Sequence, residues 1–156
     1  MEFPDNSSIL TAIADGTAKL RAAFEKLPPE ARNWKPGPAK WSGVEVVVHT
    51  AETDIVYFTR IAFAAAESGK TVPGFDENKW ASGLLYNQRS ADDAFAAMAS
   101  VRKLIVGVLR ALPADAWERT ATHSERGPVT VRSFAEGLAN HRSEERRVGK
   151  ECRSRW

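Results

Sequence analysis

The sequence predicts an all-α domain, a four-helix bundle with one long crossover between its second and third helices. Three observations point there. Four segments carry apolar residues at alternating spacings of three and four, the stripe that a 3.6-residue helix buries. Each of the four opens on a hydroxyl or carboxamide-type cap, and no stretch shows strand alternation bounded by turns. The connection over residues 70–89 is long enough to let the second and third helices run parallel.

The chain has 156 residues, one domain's worth, with 43% hydrophobic and 27% charged residues, which is ordinary for a globular protein. No apolar run reaches the roughly 18–20 residues of a membrane-spanning helix. The N-terminus lacks the basic start and apolar core of a secretion signal, so a cytoplasmic location is the default expectation. The net charge of +2 is unevenly spread. Residues 142–156 hold six Lys/Arg against three Asp/Glu, which leaves 16 basic and 17 acidic residues over 1–141. The basic excess therefore describes the tail, and the domain shows no nucleic-acid footprint and no membrane surface.

Taken in order, the first helix is capped within Asp5 to Ser8 and aligns Ile9, Ile13, Leu20, Phe24 and Leu27, until Pro28-Pro29 ends it. Gly16 should cost it up to about 1 kcal/mol relative to alanine. A rigid loop then delivers Trp41 to Ser42, which with Glu45 forms a capping box. The second helix follows over about Gly43 to Ser68 and is closed by Gly69. Val44, Val48, Ala51, Ile55, Phe58 and Ala62 form its stripe, yet Val46, Val56, Tyr57 and Phe63 make it apolar nearly all round, so neighbours should cover it on several sides. Ser90 and Asp93 start the third helix, with Phe95, Met98, Val101, Ile105, Val108 and Leu112 as its stripe, ended by Pro113. Thr130 caps the fourth, where Val131, Phe134 and Leu138 face inward. Leu27-Pro-Pro-Glu-Ala and Leu112-Pro-Ala-Asp-Ala echo each other, faintly suggesting two similar helix pairs. Trp34, Trp41, Trp80 and Trp117 are expected at helix junctions.

Two histidines stand out. His49 lies two turns after Ser42, roughly 140° from the centre of the second helix's stripe. His141 lies three turns after Thr130 and continues the inward stripe of the fourth helix. Such histidines are either hydrogen-bonded core residues or metal ligands, and facing helices are where bundles build metal sites. The residues alone leave both readings open.

The final segment, Arg142-Ser-Glu-Glu-Arg-Arg-Val-Gly-Lys-Glu-Cys-Arg-Ser-Arg-Trp156, begins in mid-pattern and contains the lone Cys152. It matches the in-frame translation of a common short-read sequencing adapter at all fifteen positions. The expected organisation is thus a bundle over 1–141, cut within its fourth helix, and a non-native tail over 142–156.

Trp41-Ser-Gly-Val-Glu-Val-Val-Val-His49-Thr-Ala-Glu52 resembles the second-helix motif of the DinB-like superfamily of metal-dependent enzymes. Phe75-Asp-Glu-Asn-Lys-Trp80, Leu109-Arg-Ala-Leu-Pro113, Ala121-Thr-His-Ser-Glu-Arg-Gly-Pro128 and Thr130 through His141 match it in the same order. The resemblance implies a four-helix bundle holding a divalent metal, zinc or nickel, through one histidine of helix two and an H-x-x-x-H of helix four. His49 and His141 match the first two ligands. The third falls at 145, where Glu145 stands in the tail instead of histidine. Three imidazoles suit zinc or nickel and leave a coordination position open. That position can hold a water of lowered pKa or ionise a thiol. The resemblance therefore implies a hydrolase or a thiol-dependent transferase acting on a small molecule, with a low-molecular-weight thiol as cosubstrate. It also suggests His123 as a catalytic group in the loop before helix four. Glu52, at i+3 from His49, is a candidate to orient that imidazole. The competing expectations are a metal-free helical binding module and a homodimer formed through apolar surface on helix two or three.

Overall fold

The computed structural model describes residues 2–37 and 40–141. Within them, helices α1 (Asn6–Glu25), α2 (Gly43–Ala66), α4 (Ala91–Ala111) and α5 (Val131–Asn140) form the bundle, and a short α3 (Glu77–Gly83) lies in the crossover. No described helix is long and apolar enough to cross a membrane. The predicted caps form. Asp5 and Ser8 make a capping box on α1, and Ser42 and Glu45 make one on α2, with Glu45 N–H donating to Ser42 Oγ at 3.1 Å and Ser42 N–H to Glu45 Oε2 at 2.8 Å. Ser90 caps α4, and Thr130 accepts the Ser133 amide at 3.0 Å to cap α5.

α1 and α2 each pack against both α4 and α5. The core falls into two clusters that fix the directions. One joins the start of α2 (Val44, Val47, Val48) to the start of α4 (Phe95, Met98) and the end of α1 (Leu20, Phe24). The other joins the ends of α2 and α4 (Ile61, Ala64, Ile105, Leu109) to the start of α1 (Ile9, Ile13) and to α5. α2 and α4 are therefore parallel and α1 opposes both, which requires the long crossover.

The crossover carries more structure than a loop. Strand β1 (Thr71–Val72) pairs in parallel with β2 (Thr120–His123), which pairs antiparallel with β3 (Gly127–Thr130). This small sheet corrects the expectation that no strands form. Strands of two and four residues are too short for period-two patterning to register. The β2–β3 turn does carry a readable mark in Gly127, whose φ of +72° is the left-handed geometry glycine adopts without strain.

The α1 stripe is buried as predicted, Ile9, Ile13, Leu20, Phe24 and Leu27 all being at most 4% exposed. The α2 and α4 stripes are displaced by one residue near mid-helix. Ile55 is 48% exposed while Asp54 is fully buried, and Val101 and Val108 are only partly covered while Arg102 and Leu109 are buried. The cause is an ion pair. Arg102 Nε donates to Asp54 Oδ2 at 2.6 Å and its NH2 to Oδ1 at 3.2 Å, in a bidentate geometry between the two core clusters. Hydrophobic periodicity assigns polar residues outward, so a pair that turns inward moves the buried face off the predicted stripe.

The same pair explains Gly16. A Cβ at that position would lie 1.9 Å from Arg102 NH1, so α1 must present bare backbone to the guanidinium. Gly16→Ala should improve helix propensity by up to about 1 kcal/mol, yet we expect it to lower the melting temperature, because the displaced guanidinium strains a buried bond. A rise in melting temperature on chemical or thermal denaturation would refute that account.

Candidate metal centre and its cavity

His49 is fully buried, which periodicity along α2 does not require. The crossover and the loop before α2 cover this side. The Trp41 indole meets His49 edge-on at 4.6 Å between centroids, and Phe75, backed by Trp80 at 4.5 Å, lies 6.4 Å away. Trp41 Nε1 donates to Asn78 Oδ1 of α3 at 3.2 Å, tying the loop to the crossover. Thr53, one turn on, places Oγ1 3.4 Å from both imidazole nitrogens, so it does not select a tautomer.

His141 forms the C-cap of α5, its N–H bonded to Leu138 O at 3.2 Å. Its ring sits 5.5 Å from that of His49 and 6.3 Å from that of Tyr57. Gly137, one turn earlier, makes room for the phenol, since a Cβ there would come within 2.8 Å of Tyr57 Oη. Burial pushes the Tyr57 pKa upward, keeping it a neutral donor.

Thr53, Tyr57, Phe75 and His141 border a cavity of about 250 Å³ between α2, the crossover, the β2–β3 turn and the end of α5. His123, buried at the end of β2, lines it too. The Glu125 N–H donates to His123 Nδ1 at 3.2 Å, so neutral His123 carries its proton on Nε2. Burial, with help from Arg60 and Arg126, lowers its pKa. A lowered pKa means that the unfolded chain takes up this proton first as pH falls. Stability should therefore decline on acidification from about pH 6.5 toward the folded-state value, and be unaffected above it. His123→Gln should remove up to one proton from this dependence, measured as the slope of unfolding free energy against pH. An identical slope in the variant would refute the assignment.

Two anticipated carboxylates resolve differently. Glu52 does not orient His49. It accepts from Tyr86 Oη at 2.6 Å and pairs with Arg89, on the side of α2 that faces the 3-10 turn after α3. Burial and this carboxylate together push the Tyr86 phenol far above its usual range. Among the described residues the carboxylate that pairs with His49 is instead Glu77 on α3, with Oε2 3.9 Å from Nε2. Spacing along α2 cannot reveal it, because it arrives through the crossover. Glu145 and the rest of the tail lie outside the described residues. Arg60, a further cavity residue, follows His49 by three whole turns on the same face, so the arithmetic that placed His49 would also have located it.

The two imidazoles suit a shared ion. Rings bound through nitrogen at about 2.0–2.1 Å and at a tetrahedral angle have centroids about 5 Å apart, close to the separation found. Among the described residues no third histidine, cysteine or carboxylate joins them closely enough to complete a set.

Residues 12–144 match the sequence pattern of the DinB superfamily. The chain belongs to the DinB superfamily. Its fold agrees with that assignment. YfiT from Bacillus subtilis, described as a probable metal-dependent hydrolase with an unusual four-helix bundle topology, superposes with a TM-score of 0.80 at 15% identity, over 96% of this chain and 90% of that one. A mycothiol-dependent maleylpyruvate isomerase superposes with a TM-score of 0.66 at 14% identity, over 89% of this chain but 57% of that one. At such identities the likeness to this DinB chain concerns the fold. No curated protein matches the sequence closely.

Proposed function

We propose that this DinB-superfamily chain derives from a metal-dependent enzyme acting on a small molecule, with His49 and His141 as two of three metal ligands and position 145 as the place of the third. The observation that carries this reading is the 5.5 Å approach of two imidazoles from different helices, with the His141 ring lining a polar cavity. The descriptions of the two structural neighbours, one metal-dependent and one thiol-dependent, support the same coarse class.

A zinc or nickel ion held there would supply Lewis acidity that ionises a coordinated water or low-molecular-weight thiol. The reaction is accordingly a hydrolysis or a thiol-dependent transfer. The chain's own residues do the rest. The His123 Nε2–H faces the cavity as a neutral donor and can give its proton to a leaving group. Glu77, beside His49 and half-exposed, is placed to accept a proton or to stabilise an imidazolium. Tyr57 contributes a second neutral donor, its hydroxyl, and Trp41 and Phe75 exclude water from the His49 side. The test is metal content after Glu145→His. One ion per chain, lost again on His49→Ala, supports the proposal. A restored triad that carries no ion through purification without chelator would favour the metal-free binding module.

A further inference from the structure

We propose that the cavity recognises a small organic carboxylate, with the guanidinium of Arg60 as the group that binds it. This names a substrate class for the enzyme proposed above and rests on that reading.

Arg60 is 6% exposed. Its NH2 donates to the Pro73 carbonyl at 2.8 Å, and its Nε, also buried, has no hydrogen-bond partner. Its guanidinium lies 5.8 Å from the Tyr57 ring centroid and 5.9 Å from that of Phe75, so aromatic walls flank the charge. The contrast with Arg102 is instructive. That guanidinium, equally buried, is matched bidentately by Asp54. Among the described residues Arg60 has no such carboxylate, although a buried charge without a counter-charge is destabilising. Burial, with Arg126 adding to it, pulls its pKa down, against the opposing influence of Tyr57 and of the Glu125 carboxylate at the rim, which makes no ion pair with it among the described residues. Unmatched charge facing a cavity is found where a ligand supplies the partner.

The other charged groups around the cavity narrow the ligand. Arg126 stands on the exposed β2–β3 turn and adds positive potential at the mouth. Glu125 rests against Gly74 at the same rim, and Glu77 lies beside His49. The interior thus offers a guanidinium, the His123 Nε2–H and the Tyr57 hydroxyl, which are donors. Donors of this kind call for an acceptor-only anion, and the planar fork of arginine fits a carboxylate. A single buried cation matches one negative charge better than a phosphate dianion. The 250 Å³ volume limits the ligand to a small one, and the two rings favour a flat or unsaturated body.

The test uses the full chain treated with chelator, so that metal plays no part in the readout. Benzoate, phenylacetate and fumarate are titrated calorimetrically against their neutral amides. At least one acid should bind at least ~10-fold more tightly than its amide, as a charge-assisted bidentate contact requires. Arg60→Met should abolish that preference while leaving the melting temperature unchanged or higher, since it removes an unmatched buried charge. Arg60→Lys, which keeps charge and stem, should retain part of the preference and serves if the methionine variant does not fold. The proposal is overturned if no acid outbinds its amide, or if Arg60→Met and Arg60→Lys bind acids as the parent does. It is equally overturned if Arg60→Met folds but melts markedly lower with acid binding intact, which would make Arg60 a purely structural brace. Failure of metal binding in the Glu145→His protein leaves this titration readable, so the two readings fail separately.

Discussion

Glu145→His is expected to raise divalent-metal affinity by at least ~100-fold, exceeding what supporting contacts around a metal usually contribute, because it adds a ligand outright. Adding His49→Ala to that protein should return the affinity to the starting level or below. The asymmetry follows from geometry. His49 and His141 already face each other at 5.5 Å, and His49 is held by Trp41, Phe75 and Thr53 in a buried position that needs little reorganisation on binding. A third imidazole, four residues after His141 in the sequence, would add to a preformed pair. Zinc and nickel titrations by calorimetry, with metal content after gel filtration, measure both steps. Equal metal affinity with His or Glu at 145 would defeat the three-histidine account. Retention by the His49→Ala variant would remove His49 from the ligand set.

The second large effect concerns stability. Asp54→Ala or Arg102→Ala should each cost roughly 3–5 kcal/mol, because each leaves an uncompensated charge between the two core clusters. Burial pushes the Asp54 carboxyl upward while Arg102 draws it down, so the pair is a balance of desolvation against close bidentate contact. The double replacement Asp54→Leu with Arg102→Met should recover most of the loss, since matched apolar groups often equal a buried ion pair. Urea denaturation of the parent, Asp54→Leu, Arg102→Met and the double variant closes the cycle. Additive losses in the double variant would show that the two groups do not act as a pair. Gly16 belongs to the same unit, which makes a glycine on α1, an aspartate on α2 and an arginine on α4 one structural feature spread over three helices.

Part of the candidate site is legible in the sequence. The caps at Ser42 and Thr130 set the phase of α2 and α5, and counting whole turns from them marked His49 and His141. The same counting misplaces Glu52, because proximity along a helix says nothing about a competing partner. Tyr86 and Arg89, from the far end of the crossover, claim both of its oxygens. Glu77 and the aromatic cover from Phe75 also come through the crossover, and no periodicity announces where a loop will lie down.

The sequence by itself determined the helices, their caps and the α1 and α5 core faces, since these depend on contacts within about one turn of chain. Tertiary structure alone decided which polar residues turn inward. Asp54 is buried because Arg102 meets it, Arg102 because Gly16 gives way, and Arg60 faces a cavity that exists only once β1, β2 and β3 have joined. A buried polar group is stable only with its partner in place, and partners distant in sequence are found by folding rather than by pattern.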